Sequence, residues 1–143
     1  MEPSGVSETQ ADVRFVGEIS SDLTSRHGAP RQGDEGAPDA WLEIFPWAAA
    51  ALDGVAAGDE LVVITWLHQA KRDVFKVYPR GDVRNGLTGV FATRSPDRPN
   101  PLGLHPVTVH SIDGLRLRIG PIEAVDGTPV VDLKPLLGCV GHR

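Results

Sequence analysis

The sequence has one cysteine, one methionine, one tyrosine and no long apolar run, and these shortages exclude several classes of protein. Cys139 has no partner within the chain, so the fold cannot depend on an internal disulfide. The longest apolar run, Leu61–Leu67, is broken by Thr65 and is far too short to span a bilayer. Residues 1–12 have neither the basic start nor the apolar stretch of a signal peptide. We therefore expect a cytoplasmic protein with no membrane-spanning segment.

The common nucleotide-binding and hydrolase signatures are missing as well. No glycine-rich dinucleotide loop follows a strand-like run, and there is no GxxxxGK[ST] or Gly-x-Ser-x-Gly motif. Five histidines are present, but even the closest pair, His105 and His110, matches no common zinc spacing. The sequence therefore argues against a Rossmann, P-loop or serine-hydrolase enzyme, and we expect no bound metal.

Size and charge describe an ordinary domain with an uneven surface. The chain has 143 residues, of which 41 % are hydrophobic and 23 % charged, which is typical of one globular domain. The net charge is −5, yet residues 71–98 hold seven Lys and Arg against three acids, whereas residues 32–60 hold seven carboxylates and no Lys or Arg. A positive face could attract a polyanion despite the negative sum. Two solvated surfaces without a partner would have the same composition.

Short β-forming runs separated by turn signals recur along the chain. Apolar and polar residues alternate in Val13–Ser20, and Glu60–His68 is rich in branched apolar residues, which predicts a central strand buried on both faces. Asp-Gly pairs at 113–114 and 126–127 indicate tight turns. The pattern predicts an all-β barrel or sandwich over residues 13–137, with tails at 1–12 and 138–143. The other predicted elements are a helical segment at Trp47–Leu52 and strands at Ala40–Phe45, Val74–Tyr78, Gly89–Arg94, Leu104–Ser111, Leu115–Ile119 and Val130–Leu133.

Residues 89–104, GVFATRSPDRPNPLGL, form the most distinctive stretch. Three prolines restrict the backbone, so little conformational entropy is left to lose when the loop binds a ligand. The loop also has more hydrogen-bonding capacity than a connector needs, in Arg94, Ser95, Asp97, Arg98 and Asn100. A solvated proline-rich turn is the alternative interpretation.

Three further polar clusters interrupt the apolar pattern. Pro30-Arg31-Gln32 lies in a long loop predicted at Ser21–Asp39, His68-Gln69 follows the most apolar strand, and Asp126-Gly127-Thr128 precedes the last strand. Each is weak alone, since His68 could be a strand-end histidine held by a carbonyl and Asp126 part of a hairpin turn.

Together these clusters carry a family resemblance. GVFATRSPDRPNPLGL resembles the diagnostic motif of the TsaA-like, or TrmO, family, and GAPRQ, WLHQ and VDGTPVVDLKP match that family in the same order. The resemblance covers roughly residues 13–136. It implies a small β-barrel of about seven or eight short strands with one or two short helical turns. The implied activity is that of a tRNA adenosine N6-methyltransferase that uses S-adenosylmethionine.

The resemblance also implies which residues hold the cofactor. The S-adenosylmethionine pocket would be lined by Pro30, Arg31, Gln32, His68, Gln69 and Arg94. The backbone around Pro106 and at Ile122, Glu123, Ala124 and Val125 would contact the adenosine portion. Arg94 would hold a carboxylate, and His68 or Asp126 would serve as base if the attacking nitrogen must lose a proton.

The methyl acceptor implied by the family is a threonylcarbamoyl-modified adenosine beside the tRNA anticodon, and a homodimer is implied too. The candidate phosphate contacts are Lys71, Arg72, Lys76, Arg80, Arg84 and Arg98. Two other functions stay open. The same fold could methylate a nitrogen of a small metabolite, or the protein could sense S-adenosylmethionine without turnover.

Overall fold

Six antiparallel strands close into a barrel in a computed structural model that describes residues 9–25 and 36–137. Around the barrel the strand order is β1-β2-β7-β6-β3-β8, and β4 and β5 form a separate two-stranded sheet. The strands are β1 Gly17–Ser20, β2 Ala40–Ile44, β3 Glu60–Trp66, β4 Lys76–Val77, β5 Thr88–Gly89, β6 Leu102–Asp113, β7 Arg116–Gly120 and β8 Pro129–Pro135. The expected all-β barrel with short helical segments is therefore confirmed.

Alternation along each strand fills the barrel. Inward-facing side chains such as Leu42, Val63, Val109, Leu117 and Ile119 are fully buried, while their neighbours in sequence face outwards, as the period of two requires. The core is therefore built from branched aliphatic residues of all six strands. Within the described ranges, no helix is long and apolar enough to cross a membrane.

Several predicted boundaries differ from the structure. The first strand begins at Gly17 rather than Val13, and β3 ends at Trp66 with only its inward face fully buried. The predicted helical segment is a 3-10 helix over Pro46–Leu52. The strand predicted at Val74–Tyr78 is reduced to Lys76–Val77 because Pro79 cannot continue a ladder.

The strand predicted at Gly89–Arg94 is wrong. Pairing ends after Thr88–Gly89, and Val90–Ala92 form a 3-10 turn. The Arg98 guanidinium donates to the carbonyls of Val90 and Thr93, which are acceptors that a neighbouring strand would need.

The topology gives the barrel two unlike ends. At one end, called here the loop end, lie the β1–β2, β3–β6 and β7–β8 connections, residues 21–39, 67–101 and 121–128. At the opposite end, the hairpin end, lie the β2–β3 connection and the tight β6–β7 hairpin. Antiparallel pairing forces this division, since successive strands in the barrel run in opposite directions.

Candidate functional site

The polar cluster at 68–69 meets the proline loop, residues 90–101, at the loop end. The Leu67 amide donates to the Pro101 carbonyl at 2.8 Å, and the Lys71 amide donates to an Asp97 carboxylate oxygen at 2.8 Å. These bonds join the two edges of the β3–β6 connection, so exposed residues 68–69 lie alongside the proline loop.

Two arginines of the proline loop have opposite roles. The Arg98 side chain folds over its own loop and donates to the Thr93 carbonyl at 2.7 Å and to the Val90 carbonyl, while its Nε is buried. Arg94 is exposed and makes no hydrogen bond or ion pair with another described residue. One arginine therefore shapes the loop, and the other presents a guanidinium to solvent.

The β7–β8 connection closes the loop end of the barrel. Ile122, Ala124 and Val125 are buried, and the Ile122 amide donates to the Pro38 carbonyl at 2.9 Å. The predicted cofactor-contacting residues 122–125 thus form a plug whose apolar side chains point into the core.

Asp126 joins the β7–β8 and β1–β2 connections. Its carboxylate accepts from the Ser21 amide at 2.9 Å, and its own amide donates to the Leu23 carbonyl at 2.6 Å. This side chain therefore anchors the segment that leads towards the Pro30-Arg31-Gln32 cluster. Those three residues themselves lie outside the described part of the chain.

Sequence reasoning missed a polar chain inside the barrel, which we call the lumen triad, Thr65–His105–Glu123. His105 is buried, with Nε2 at 2.7 Å from the Thr65 hydroxyl oxygen and Nδ1 at 2.8 Å from a Glu123 carboxylate oxygen. Because a carboxylate only accepts, the ring presents its Nδ1–H to Glu123. The triad links the plug to the inner faces of β3 and β6.

Gly103 makes room for the lumen triad. A Cβ on this residue would lie 2.6 Å from both His105 Nε2 and Thr65 Oγ1. One sequence signal for the lumen triad was available, the hydroxyl of Thr65 within an otherwise apolar strand. In the barrel Thr65 pairs with Gly103, which lies two residues before His105 and on the same inward face of β6.

Pro106 lies apart from these residues. It is exposed on the outer face of β6, paired with Val62 of β3, whereas Gly103 and His105 face the lumen. It borders a shallow outer hollow of about 160 Å³ with Leu136. Gly120 and Pro121 line the same hollow, so Pro106 lies on the outer face of β6 beside the start of the β7–β8 connection.

The basic residues predicted to contact phosphate differ in their contacts within the chain. Arg72 lies over the Trp66 ring at 5.0 Å and donates to the Pro99 carbonyl at 2.8 Å. Arg84 pairs with Asp82 at 2.6 Å, and this side-chain hydrogen bond lowers the pKa of the Asp82 carboxyl. Arg98 is partly buried, while Lys71, Arg72, Lys76, Arg80 and Arg84 are all exposed. Among the described residues, no group of three or more His, Cys, Asp or Glu is arranged to hold a metal ion.

The family described as the tRNA-methyltransferase O N-terminal domain matches residues 18–140. The chain belongs to this family. A probable S-adenosyl-L-methionine-binding protein of Methanothermobacter thermautotrophicus is 39 % identical over 130 residues, which cover 91 % of this chain and 93 % of the relative. The probable S-adenosyl-L-methionine-binding protein VirR of Rhizobium radiobacter is 40 % identical over 129 residues, covering 90 % of this chain and 72 % of VirR.

A solved member of the tRNA-methyltransferase O family has a similar fold. The crystal structure of TrmO from Pseudomonas aeruginosa matches with a TM-score of 0.72 at 29 % identity, over 94 % of this chain. This chain spans 61 % of that TrmO chain. The likeness therefore concerns the barrel domain and leaves more than a third of the TrmO chain unmatched.

Proposed function

We propose that this protein is an S-adenosylmethionine-dependent methyltransferase whose cofactor binds at the loop end of the barrel. The observation that supports this most is the topology. The β3–β6 and β7–β8 connections, which hold His68, Gln69, Arg94 and residues 122–125, close the same end of the barrel. The third connection at that end contains Pro30, Arg31 and Gln32 in its sequence.

The chemical types at the loop end suit this cofactor. Arg94 offers an exposed guanidinium with no partner among the described residues, and this side chain is well shaped to bind a carboxylate through two parallel hydrogen bonds. The rigid plug at residues 122–125 offers backbone groups beside buried apolar side chains, which suits a flat base. S-adenosylmethionine, when bound, supplies a methyl group on a sulfonium, so the protein needs chiefly to align donor and acceptor.

His68 is the better candidate for a base. Its ring is exposed at the loop end, and a neutral imidazole has a ring nitrogen that can accept a proton. The carboxylate of Asp126 instead accepts the Ser21 amide at 2.9 Å and thereby holds a connection in place. In this proposal His68 would accept the proton that the acceptor nitrogen loses when the methyl group passes to it. The methyl–sulfur bond would break in the same step and leave a neutral thioether, while Asp126 holds the start of the β1–β2 connection through Ser21.

We assign the methyl acceptor to N6 of threonylcarbamoyl-modified adenosine next to the tRNA anticodon. Family membership supports a tRNA substrate, and so do the seven Lys and Arg in residues 71–98. Exposed Lys71, Lys76 and Arg80 are the first candidates for phosphate contacts. The cytoplasm is the compartment that this substrate implies.

The decisive experiment incubates the protein with methyl-labelled S-adenosylmethionine and total tRNA from a strain that lacks the protein. We expect label in tRNA, recovered as a methylated, threonylcarbamoyl-modified adenosine by nucleoside mass spectrometry. Binding should weaken steeply as salt rises, because phosphate contacts release counterions. Label in a small molecule, with no salt dependence, would instead identify a metabolite methyltransferase. Cofactor binding without any transfer would identify a sensor.

The outer face of the barrel supports a homodimer of the domain at 13–137. Leu102 and Leu104 of β6 are 45 % and 46 % exposed, and Pro106 continues the same row. On β3, Ile64 and Trp66 lie opposite the two leucines. Contiguous apolar surface of this kind fits the self-complementary contact of a two-fold dimer. Light scattering of the wild-type protein and a Leu104→Glu variant tests it, and a wild-type monomer would refute it.

A further inference from the structure

Two exposed phenylalanines flank β4 and β5, and residues 75–91 are called here the arm. Phe91 is 90 % and Phe75 is 68 % exposed, and both line an open apolar hollow of about 230 Å³ with Gly89, Val90 and Ala92. Pockets that enclose a whole drug-sized ligand are larger, roughly 300–1,000 Å³. The hollow therefore has the size and chemistry to take one flat ring system.

A backbone hydrogen bond brings the segments that carry the two phenylalanines together. The Val90 amide donates to the Phe75 carbonyl at 2.9 Å, next to the Lys76–Gly89 pair of the two-stranded sheet. Val90 is buried, and its carbonyl accepts a hydrogen bond from the Arg98 guanidinium of the proline loop. Because the backbone is already paired, a ligand that binds here has to order chiefly the two side chains.

The net positive charge of residues 71–98, the segment that forms the hollow, favours a nucleic acid over a second copy of the chain. Seven Lys and Arg stand against three acids in residues 71–98, and Asp82 is already paired with Arg84. In a two-fold dimer this face would meet itself and bring like charges together. An unpaired RNA strand satisfies both features, because its bases stack on aromatic rings while its phosphates meet the cations.

We propose that Phe75 and Phe91 form a stacking platform for an unpaired base of the RNA substrate. This inference rests on the proposed function and specifies how the RNA is held. The platform selects loop RNA over duplex RNA, because paired bases cannot leave the helix to reach the rings without loss of pairing and stacking.

The test compares variants against two fluorescein-labelled RNAs, an anticodon stem–loop and a blunt duplex of equal length. Phe91→Ala and Phe75→Ala should each weaken stem–loop binding about 5- to 100-fold. Neither should change duplex binding or the salt slope, because no charge is removed. Phe91→Tyr should retain binding. Trp47→Ala is the control, since Trp47 is also exposed, at 48 %, but lies in the β2–β3 connection at the hairpin end.

Phe91→Ala is the variant that decides whether the platform exists, because so exposed a side chain can be removed without loss of packing. An unchanged melting temperature of this variant would verify that the fold is intact. Wild-type binding by Phe91→Ala, from a protein that methylates tRNA, would overturn the platform and leave the proposed function intact. Loss of binding accompanied by conversion of a dimer to a monomer would assign the rings to a protein contact and would also overturn it. A wild-type protein that binds neither RNA and transfers no label would refute the platform together with the tRNA assignment.

Discussion

The two ends of the barrel are held together in different ways. At the hairpin end, β6 and β7 are joined through Gly114 with Asp113 opposite Arg116, and the β2–β3 connection is closed by backbone bonds between near neighbours, such as Val55 to Leu52. At the loop end, side chains bind backbone groups far away in sequence, as Asp126 does with Ser21 and Asp97 with Lys71.

This difference separates the end of the barrel that maintains the fold from the end that can bind a ligand. Backbone bonds hold most of the hairpin end, through tight turns and through the bonds that Gly58 and Asp59 make with Val109. Polar side chains at the loop end hold long connections in place and leave others, such as Arg94, directed to solvent. We therefore expect changes at the loop end to affect binding and changes at the hairpin end to affect stability alone.

The largest contrast should come from Arg94→Ala. Loss of a charge-assisted, two-pronged hydrogen bond to the cofactor carboxylate should weaken S-adenosylmethionine binding about 100-fold. The melting temperature should stay within about 2 °C of wild type, because an exposed side chain without contacts in the described fold contributes little to stability. Isothermal titration calorimetry and a thermal melt measure the two effects.

Arg116→Ala is the matched control at the hairpin end. Arg116 is also exposed and lies over the Trp41 ring at 4.3 Å, but it belongs to the start of β7. Its removal should leave cofactor affinity unchanged. Equal loss of affinity in both variants would mean that the two ends do not divide binding from stability.

A smaller effect should follow from Glu123→Ala in the lumen triad. The change leaves the buried His105 Nδ1–H without its acceptor, which costs about 1–3 kcal/mol of unfolding free energy. Glu123→Gln keeps an acceptor oxygen and should cost less than half as much. Denaturant titration separates the variants, and equal destabilisation would show that Glu123 acts through packing alone.

Strand periodicity and turn chemistry predicted most of the barrel. Alternation identified the inward-facing Ile19 and Leu117, and the Asp-Gly pair at 113–114 marked the β6–β7 hairpin. These signals are local, so a single sequence contains them. The strand predicted at Gly89–Arg94 ended at Gly89, and the carbonyls of Val90 and Thr93 bind the side chain of Arg98, a contact that periodicity does not reveal.

The site was predicted only in part. Polar residues at breaks in apolar runs pointed to 68–69 and Arg94, and the structure places 68–69 beside the proline loop that contains Arg94. The lumen triad was missed because His105 lies within a strand of alternating residues, where spacing along the chain suggested only a failed zinc pattern. A buried histidine is recognised by its partners in space, which periodicity does not give.

At the hairpin end, Gly114→Ala should reduce stability without affecting binding. Gly114 has φ +62°, a left-handed conformation in which a side chain costs about 1–2 kcal/mol. Nothing lies within 4 Å of a Cβ placed there, so the loss comes from the backbone alone. Thermal melts should show the loss while calorimetry gives wild-type cofactor affinity. A parallel fall in affinity would show that strain at one end reaches the other.

The smallest effect we expect is that of Lys76→Ala on RNA binding. Lys76 is exposed on β4, within the basic segment at 71–98, so its removal should lower the salt slope of tRNA binding by about 0.7–0.9 and the affinity only a few-fold. Lys134→Ala is the control, because Lys134 is equally a surface lysine but lies on β8 near Asp132 at 3.6 Å. Filter binding over a series of salt concentrations measures both slopes. If both substitutions changed the salt slope equally, tRNA would be responding to the total charge of the protein and not to the face that carries the arm. A change confined to Lys76→Ala would assign phosphate contact to the segment that also forms the proline loop.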